Sequence, residues 1–146
     1  MRGFLTLPRE PICSAEAMEA VGRNLAQVLG AGDVLALIGP LGAGKTTLVR
    51  GIAAGLGIDG ERVSSPTFAL SHSYRGGDLS LIHMDLYRLA NAAEAVAAGL
   101  EEQLHDPEAL VVVEWPERAA ELFPPHTYWL RIQPEGEKRW LGEAKL

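Results

Sequence analysis

Residues 39–46 read GPLGAGKT, the spacing G-x-x-x-x-G-K-[ST] of a loop built to hold phosphate. Gly39, Gly42 and Gly44 permit a tight turn whose N–H groups point inward at phosphate oxygens. Lys45 adds a point charge for the β- and γ-phosphates, and the Thr46 hydroxyl is the expected Mg²⁺ ligand. With Leu41, Ala43 and Thr47 these residues make up the expected nucleotide-binding set. The helix that follows offers the positive partial charge of its N-terminus to the same anion.

At average composition the bare pattern should arise by chance in roughly one chain of this length in two hundred. Its flanks make chance less plausible still. Asp33–Ile38, DVLALI, is a short apolar run suited to a buried parallel strand. Thr46–Leu56 then places Leu48, Ile52 and Leu56 at helical spacing, with Gly57 as a stop. Strand, glycine loop and helix in that order predict an α/β fold of the P-loop NTPase type. Lys45 is also one of only three lysines in a chain that prefers arginine.

At 146 residues, 47% of them hydrophobic, the chain is expected to form one domain, residues 1–146, with a real core. A net charge of −6 argues against a general binder of DNA or of membrane surfaces, which needs a basic face. Cys13 is the only cysteine, so no intramolecular disulfide is possible, and a structural thiol is expected. No stretch approaches the ~20 apolar residues of a membrane span, and no secretory leader pattern opens the sequence. A soluble cytoplasmic protein is the expectation.

The remaining pattern predicts a mixed, mostly parallel sheet flanked by helices, with β-hairpins. Phe4–Leu7 reads as an edge strand. Ser14 is an N-cap for a helix with Met18, Val21, Leu25 and Val28 on one face, ended by Gly30–Gly32. Val63–Thr67 is a polar connection. Phe68–Tyr74 alternates like a half-buried strand, Arg75–Asp78 is a hairpin turn, and Leu79–Asp85 returns as a strand. Ala92–Ala98 and Leu100–His105 are short helices separated by Gly99. Ala109–Val113 is the most β-branched run, ending at Glu114. A short helix is expected from Pro116 to Leu122, then a hairpin of Tyr128–Gln133 with Lys138–Leu141.

Ligands of open α/β sheets collect at the carboxyl ends of the strands. Asp85 and Glu114 lie at such ends, and phosphoryl transfer needs acidic groups to hold Mg²⁺ and place the attacking water. With Lys45 they form the expected catalytic set, and with Thr46 the expected metal set; which carboxylate orients water is left open. Thr67, in a loop beyond the phosphate-loop helix, is a candidate switch residue, its alternative being a turn hydroxyl. His83 shares a strand face with Asp85 and reads more naturally as a hydrogen-bonded structural histidine. Trp115 reads equally as a contact for partner or nucleotide and as core. Arg88 and Arg118 could meet phosphate or a partner, but exposed arginines are usually just solvated.

SPTFAL (Ser65–Leu70), HMDLYRL (His83–Leu89) and EWPER (Glu114–Arg118), in this order behind GPLGAGKTT, resemble the TsaE (YjeE) family from about Met18 to Tyr128. Pro40 and Met84 depart from its usual Asp and Phe. The resemblance implies a compact P-loop ATPase using ATP and Mg²⁺. It also implies partnership with the TsaD and TsaB proteins, which transfer a threonylcarbamoyl group to the adenosine 3′ of certain tRNA anticodons. The tRNA would be met only through that complex. By matching position, Lys45 holds phosphates, Thr46 binds Mg²⁺, Asp85 and Glu114 are metal and catalytic positions, Thr67 belongs to a switch-like loop, and Trp115 is of functional interest. A weakly hydrolysing ATPase that does conformational work on a partner complex is therefore expected. The alternatives are a small-molecule P-loop kinase and a nucleotide-dependent interaction module that needs no hydrolysis.

Overall fold

A computed structural model describes residues 5–77 and 79–144. Six strands form one sheet: β1 (Val34–Ile38), β2 (Ser71–Gly76), β3 (Leu79–Asp85), β4 (Ala109–Glu114), β5 (Tyr128–Glu135) and β6 (Lys138–Glu143), in the order β2-β3-β4-β1-β5-β6. β3, β4, β1 and β5 run parallel; β2 and β6 are antiparallel edges. The mixed, mostly parallel α/β sheet is the one expected from the sequence. Every residue of β1 and β4 is buried, as strands covered on both faces require.

Strand alternation assigns the two faces. Leu35, Leu37, Leu81, Leu110 and Val112 pack beneath α1 (Ala15–Ala26) and α2 (Lys45–Gly55). Val34, Ile82, Met84, Val111 and Val113 pack against α3 (Ala92–Ala97), α4 (Leu100–Leu104) and the 3₁₀ segment Pro116–Leu122. His83, Asp85 and Glu114 continue the first set with a period of two, so all three lie on the α1–α2 side. The α1–α2 contact is closed by glycines. A Cβ on Gly51 would lie 2.1 Å from the Glu19 carbonyl oxygen, and one on Gly22 would lie 2.4 Å from that of Leu48. The two backbones touch where no side chain fits.

Ser14 caps α1 as expected, accepting from Ala17 N–H at 3.0 Å. Several elements differ from expectation. Leu5–Leu7 is not a strand, and Phe4 lies outside the described residues; the N-terminal contribution to the sheet is instead a bridge from Ile12 to Arg139. α1 stops at Ala26, before the periodic pattern ends, which leaves Val28 67% exposed. Phe68–Leu70 is a turn, with Leu70 left-handed at φ 68°, and β2 begins only at Ser71. Of the hairpin turn, Gly77 has φ 55° and Asp78 lies outside the described residues. β5 runs on through Pro134 to Glu135. Pro116–Leu122 is 3₁₀ and broken at Ala119. Cys13 is exposed, its Sγ 3.8 Å from the Pro11 carbonyl, and not a packed structural thiol. No helix among the described residues is long and apolar enough to cross a membrane.

Candidate functional site

β1 ends at Ile38 and the chain turns through 39–44 into α2, so the glycine loop sits at the carboxyl edge of the parallel strands. Gly44 takes φ 105° as the residue before α2, a conformation costly for any residue with a Cβ. The loop is braced from outside. Arg139 of β6 donates from Nε to the Ala43 carbonyl (3.1 Å) and from Nη2 to the Gly42 carbonyl (3.3 Å). In a planar trans peptide the N–H opposes the C=O. Holding the Ala43 carbonyl toward Arg139 therefore turns the Gly44 N–H the other way.

A cavity of about 460 Å³ opens there, lined by Leu41 to Thr47, Ser65, Thr67, Asp85, Tyr87, Glu114 and Trp115. The expected nucleotide-binding set lines it except for Gly39, whose carbonyl instead receives the Lys45 ammonium. Lys45 is buried, and its Nζ lies 3.8 Å from the centre of the Trp115 ring, an attraction on the order of 1 kcal/mol. Burial lowers the Lys45 pKa from its ordinary 10.5, against the raising pull of Glu114, Glu117 and Asp85. An anion entering the cavity would offset that desolvation by its charge.

Asp85 and Glu114 are partners in register on adjacent strands. Glu114 Oε2 accepts from the Thr46 hydroxyl at 3.0 Å and lies 2.6 Å from His83 Nε2. Asp85 Oδ2 accepts from the Ser65 hydroxyl (2.7 Å) and its Oδ1 from the Tyr87 N–H (2.9 Å). The Thr67 hydroxyl is 3.4 Å from that of Ser65. Among the described residues no group of three or more His, Cys, Asp or Glu side chains surrounds a common point. The donor set is one hydroxyl and two carboxylates. It fits a hard cation that keeps several waters and takes further oxygens from a bound phosphate, as Mg²⁺ does.

Trp115 stands half-buried between the two readings open to it. It adopts φ 58°, packs against the second core, meets the Tyr87 ring at a 57° tilt with centroids 4.8 Å apart, and still faces the cavity. Left-handed backbone costs a non-glycine residue about 1–2 kcal/mol. Leu70 and Trp115 are the two such residues among those described: Trp115 lines the cavity, and the Leu70 carbonyl accepts from the N–H of Asp85 at 3.0 Å. Arg88 and Arg118 lie outside the lining, 4.5 Å from the centre of the Phe68 ring and 5.7 Å from that of Tyr87. A second cavity of about 210 Å³ shares Gly42, Ala43, Gly44 and Thr47 with the first and adds Ile12, Ser14, Met18 and Arg139. Ser65 and Tyr87 sat inside SPTFAL and HMDLYRL without being singled out. No local signal pointed to Ile12 or Arg139.

The sheet order, the glycine loop between β1 and α2, and the carboxylates on neighbouring strand ends define a P-loop NTPase. The family described as "Threonylcarbamoyl adenosine biosynthesis protein TsaE" matches residues 12–141. The Synechocystis TsaE protein is 48% identical over 109 residues, 73% of this chain and 68% of its own length. The Bacillus subtilis TsaE protein is 39% identical over 122 residues, 84% of this chain and 75% of its own. The crystal structure of Bacillus subtilis YdiB superposes with a TM-score of 0.72 at 32% identity, covering 90% of this chain and 80% of that one. This chain belongs to the TsaE family of tRNA threonylcarbamoyladenosine biosynthesis. The match extends past Tyr128, the limit of the resemblance read from the motifs, and takes in Arg139.

Proposed function

We propose that this protein binds Mg²⁺–ATP in the 460 Å³ cavity, hydrolyses it slowly, and so supports a TsaD–TsaB pair through repeated rounds of tRNA threonylcarbamoylation. The observation that carries the reading is the Thr46–Glu114 hydrogen bond. A threonine that gives its proton to a carboxylate keeps its lone pairs for a cation beside the phosphates. Lys45 would meet the β- and γ-phosphates and the Gly44 N–H would help cradle them. Asp85 and Glu114 would hold the cation's waters and place the attacking one. The smaller cavity suits the nucleoside, because it adjoins the loop and rests on the apolar Ile12 and Met18. Ser65 and Thr67, linked to Asp85, would report the γ-phosphate.

Slow turnover follows from the charge inventory. Lys45 is the only cation lining the main cavity among the described residues, and a supplied arginine is worth about 10³–10⁵ in rate in such enzymes. The test is Mg²⁺-dependent hydrolysis by wild type and Lys45→Ala, each with and without the TsaD–TsaB pair. Turnover below the ~1–100 s⁻¹ of kinases, raised by the pair and lost in the variant, is expected. Turnover indifferent to the pair would favour a kinase and call for an acceptor screen. Full support of the pair by a hydrolysis-dead Glu114→Ala would favour an interaction module.

A further inference from the structure

Four polar or charged side chains are buried among the described residues: Lys45, Asp85, Glu114 and His83. The first three have roles in the reading above; His83 has none. It is fully buried on β3, between Ile82 and Met84 of the opposite core and in line with Leu81 on its own face. Its Nδ1 has no hydrogen-bond partner, an arrangement that weakens a fold. An apolar side chain there would avoid that cost, so packing alone does not explain a histidine.

Its Nε2 does have a partner, Glu114 Oε2 at 2.6 Å. Two bare acceptors cannot approach that closely, so a proton lies between them. The same oxygen already accepts from Thr46, which marks it as a carboxylate acceptor and Nε2–H as the donor. That tautomer leaves Nδ1 as an unmatched lone pair, easier to bury than an unmatched N–H. Both bonds converge on Oε2 and pin the carboxylate against rotation. Oε1 is the oxygen left over for a cation's water shell.

We infer that His83 is a positioning residue: it fixes Glu114 so that the Thr46 hydroxyl and the carboxylate present a preformed seat for the cation, an inference that rests on the Mg²⁺–ATP reading of this site. Outer-shell partners of this kind change metal affinity by about 10–100-fold when removed. His83→Leu deletes the donor while keeping apolar volume. His83→Gln keeps an N–H donor at similar reach.

The experiment is equilibrium binding of ATP across graded Mg²⁺ and in EDTA, together with denaturant unfolding of the nucleotide-free proteins. For His83→Leu the half-saturating Mg²⁺ should rise about tenfold or more, with ATP affinity in EDTA unchanged; stability should fall as well, because the buried Glu114 carboxylate loses a donor. His83→Gln should recover most of the Mg²⁺ response. A merely structural histidine would leave the Mg²⁺ response of the folded variant intact whatever the change in stability, and that result overturns the inference. So does a glutamine variant as impaired as leucine. Wild type that binds ATP without regard to Mg²⁺ removes the underlying reading as well, and is seen before any variant is compared.

Discussion

The two faces of the sheet are built differently. On one side α1 and α2, of 12 and 11 residues, touch backbone to backbone through Gly22 and Gly51. On the other, α3 and α4 have 6 and 5 residues, and the 3₁₀ segment after β4 is broken at Ala119. The first face carries the glycine loop and Lys45. The second receives Trp115, held in left-handed backbone. A helix seated with no spare volume cannot shift without breaking its contact. The anion cradle therefore stands on the unyielding side, while the aromatic rim stands on short pieces that owe their order to packing.

One substitution made on each face breaks the comparison most directly. Gly51→Ala drives a methyl into the Glu19 carbonyl and should cost about 3 kcal/mol, lowering Tm by roughly 6–12 °C. Gly99→Ala, between α3 and α4, meets nothing within 4 Å and bears only the burden of φ 80°. It should cost about 1 kcal/mol. Thermal unfolding of the two side by side decides the matter; equal losses would mean that α1 can retreat from α2.

A smaller effect sharpens the account of the rim. If the backbone at Trp115 is strained, Trp115→Gly should be more stable than Trp115→Ala by about 1 kcal/mol, the reverse of the usual order of these residues. Denaturant midpoints measure it, and an alanine variant as stable as glycine would show an unstrained turn.

The smallest effect concerns the cradle's charge. The folded pKa of Lys45 lies below the unfolded 10.5. Between those values the unfolded chain binds the extra proton, so stability rises with pH through that window. The burial penalty is fully present below the folded pKa and fades as pH climbs toward 10.5. Wild type should thus gain stability relative to Lys45→Met as pH rises from neutral, and bound polyphosphate should flatten the difference by raising the lysine pKa. A constant difference across the range would mean that the ammonium is not desolvated.

What the sequence disclosed was whatever depended on near neighbours. The strand–loop–helix around Lys45, the β-branched β4 and the carboxylates closing β3 and β4 all followed from local pattern. Phe68–Leu70 misled because alternation cannot reveal that the Leu70 N–H turns back to the Pro66 carbonyl at 2.6 Å, closing a turn where a strand pattern runs. Val28 continued a helical period that the chain abandons at Ala26. His83 was legible as a histidine sharing Asp85's face, but its partner lies on β4, and only the strand order brings Glu114 to it. Arg139 was illegible for the same reason: its targets, Gly42 and Ala43, come near only once β5 has docked beside β1 and β6 has folded back along β5.

Ile12 and Arg139 exchange both of their backbone hydrogen bonds, at 2.7 and 2.8 Å, while the Arg139 guanidinium grips the outside of the glycine loop. The two far stretches of the sequence are thus buckled together over its most sensitive turn. Loosening the buckle, by a cut at Gly136 or a bulky fusion pressed against β6, would slacken Gly42 and Ala43 directly, without disturbing the core between. Integrity of the last strand and readiness of the phosphate loop become a single property, so a clipped molecule should announce itself by lost nucleotide grip before lost fold.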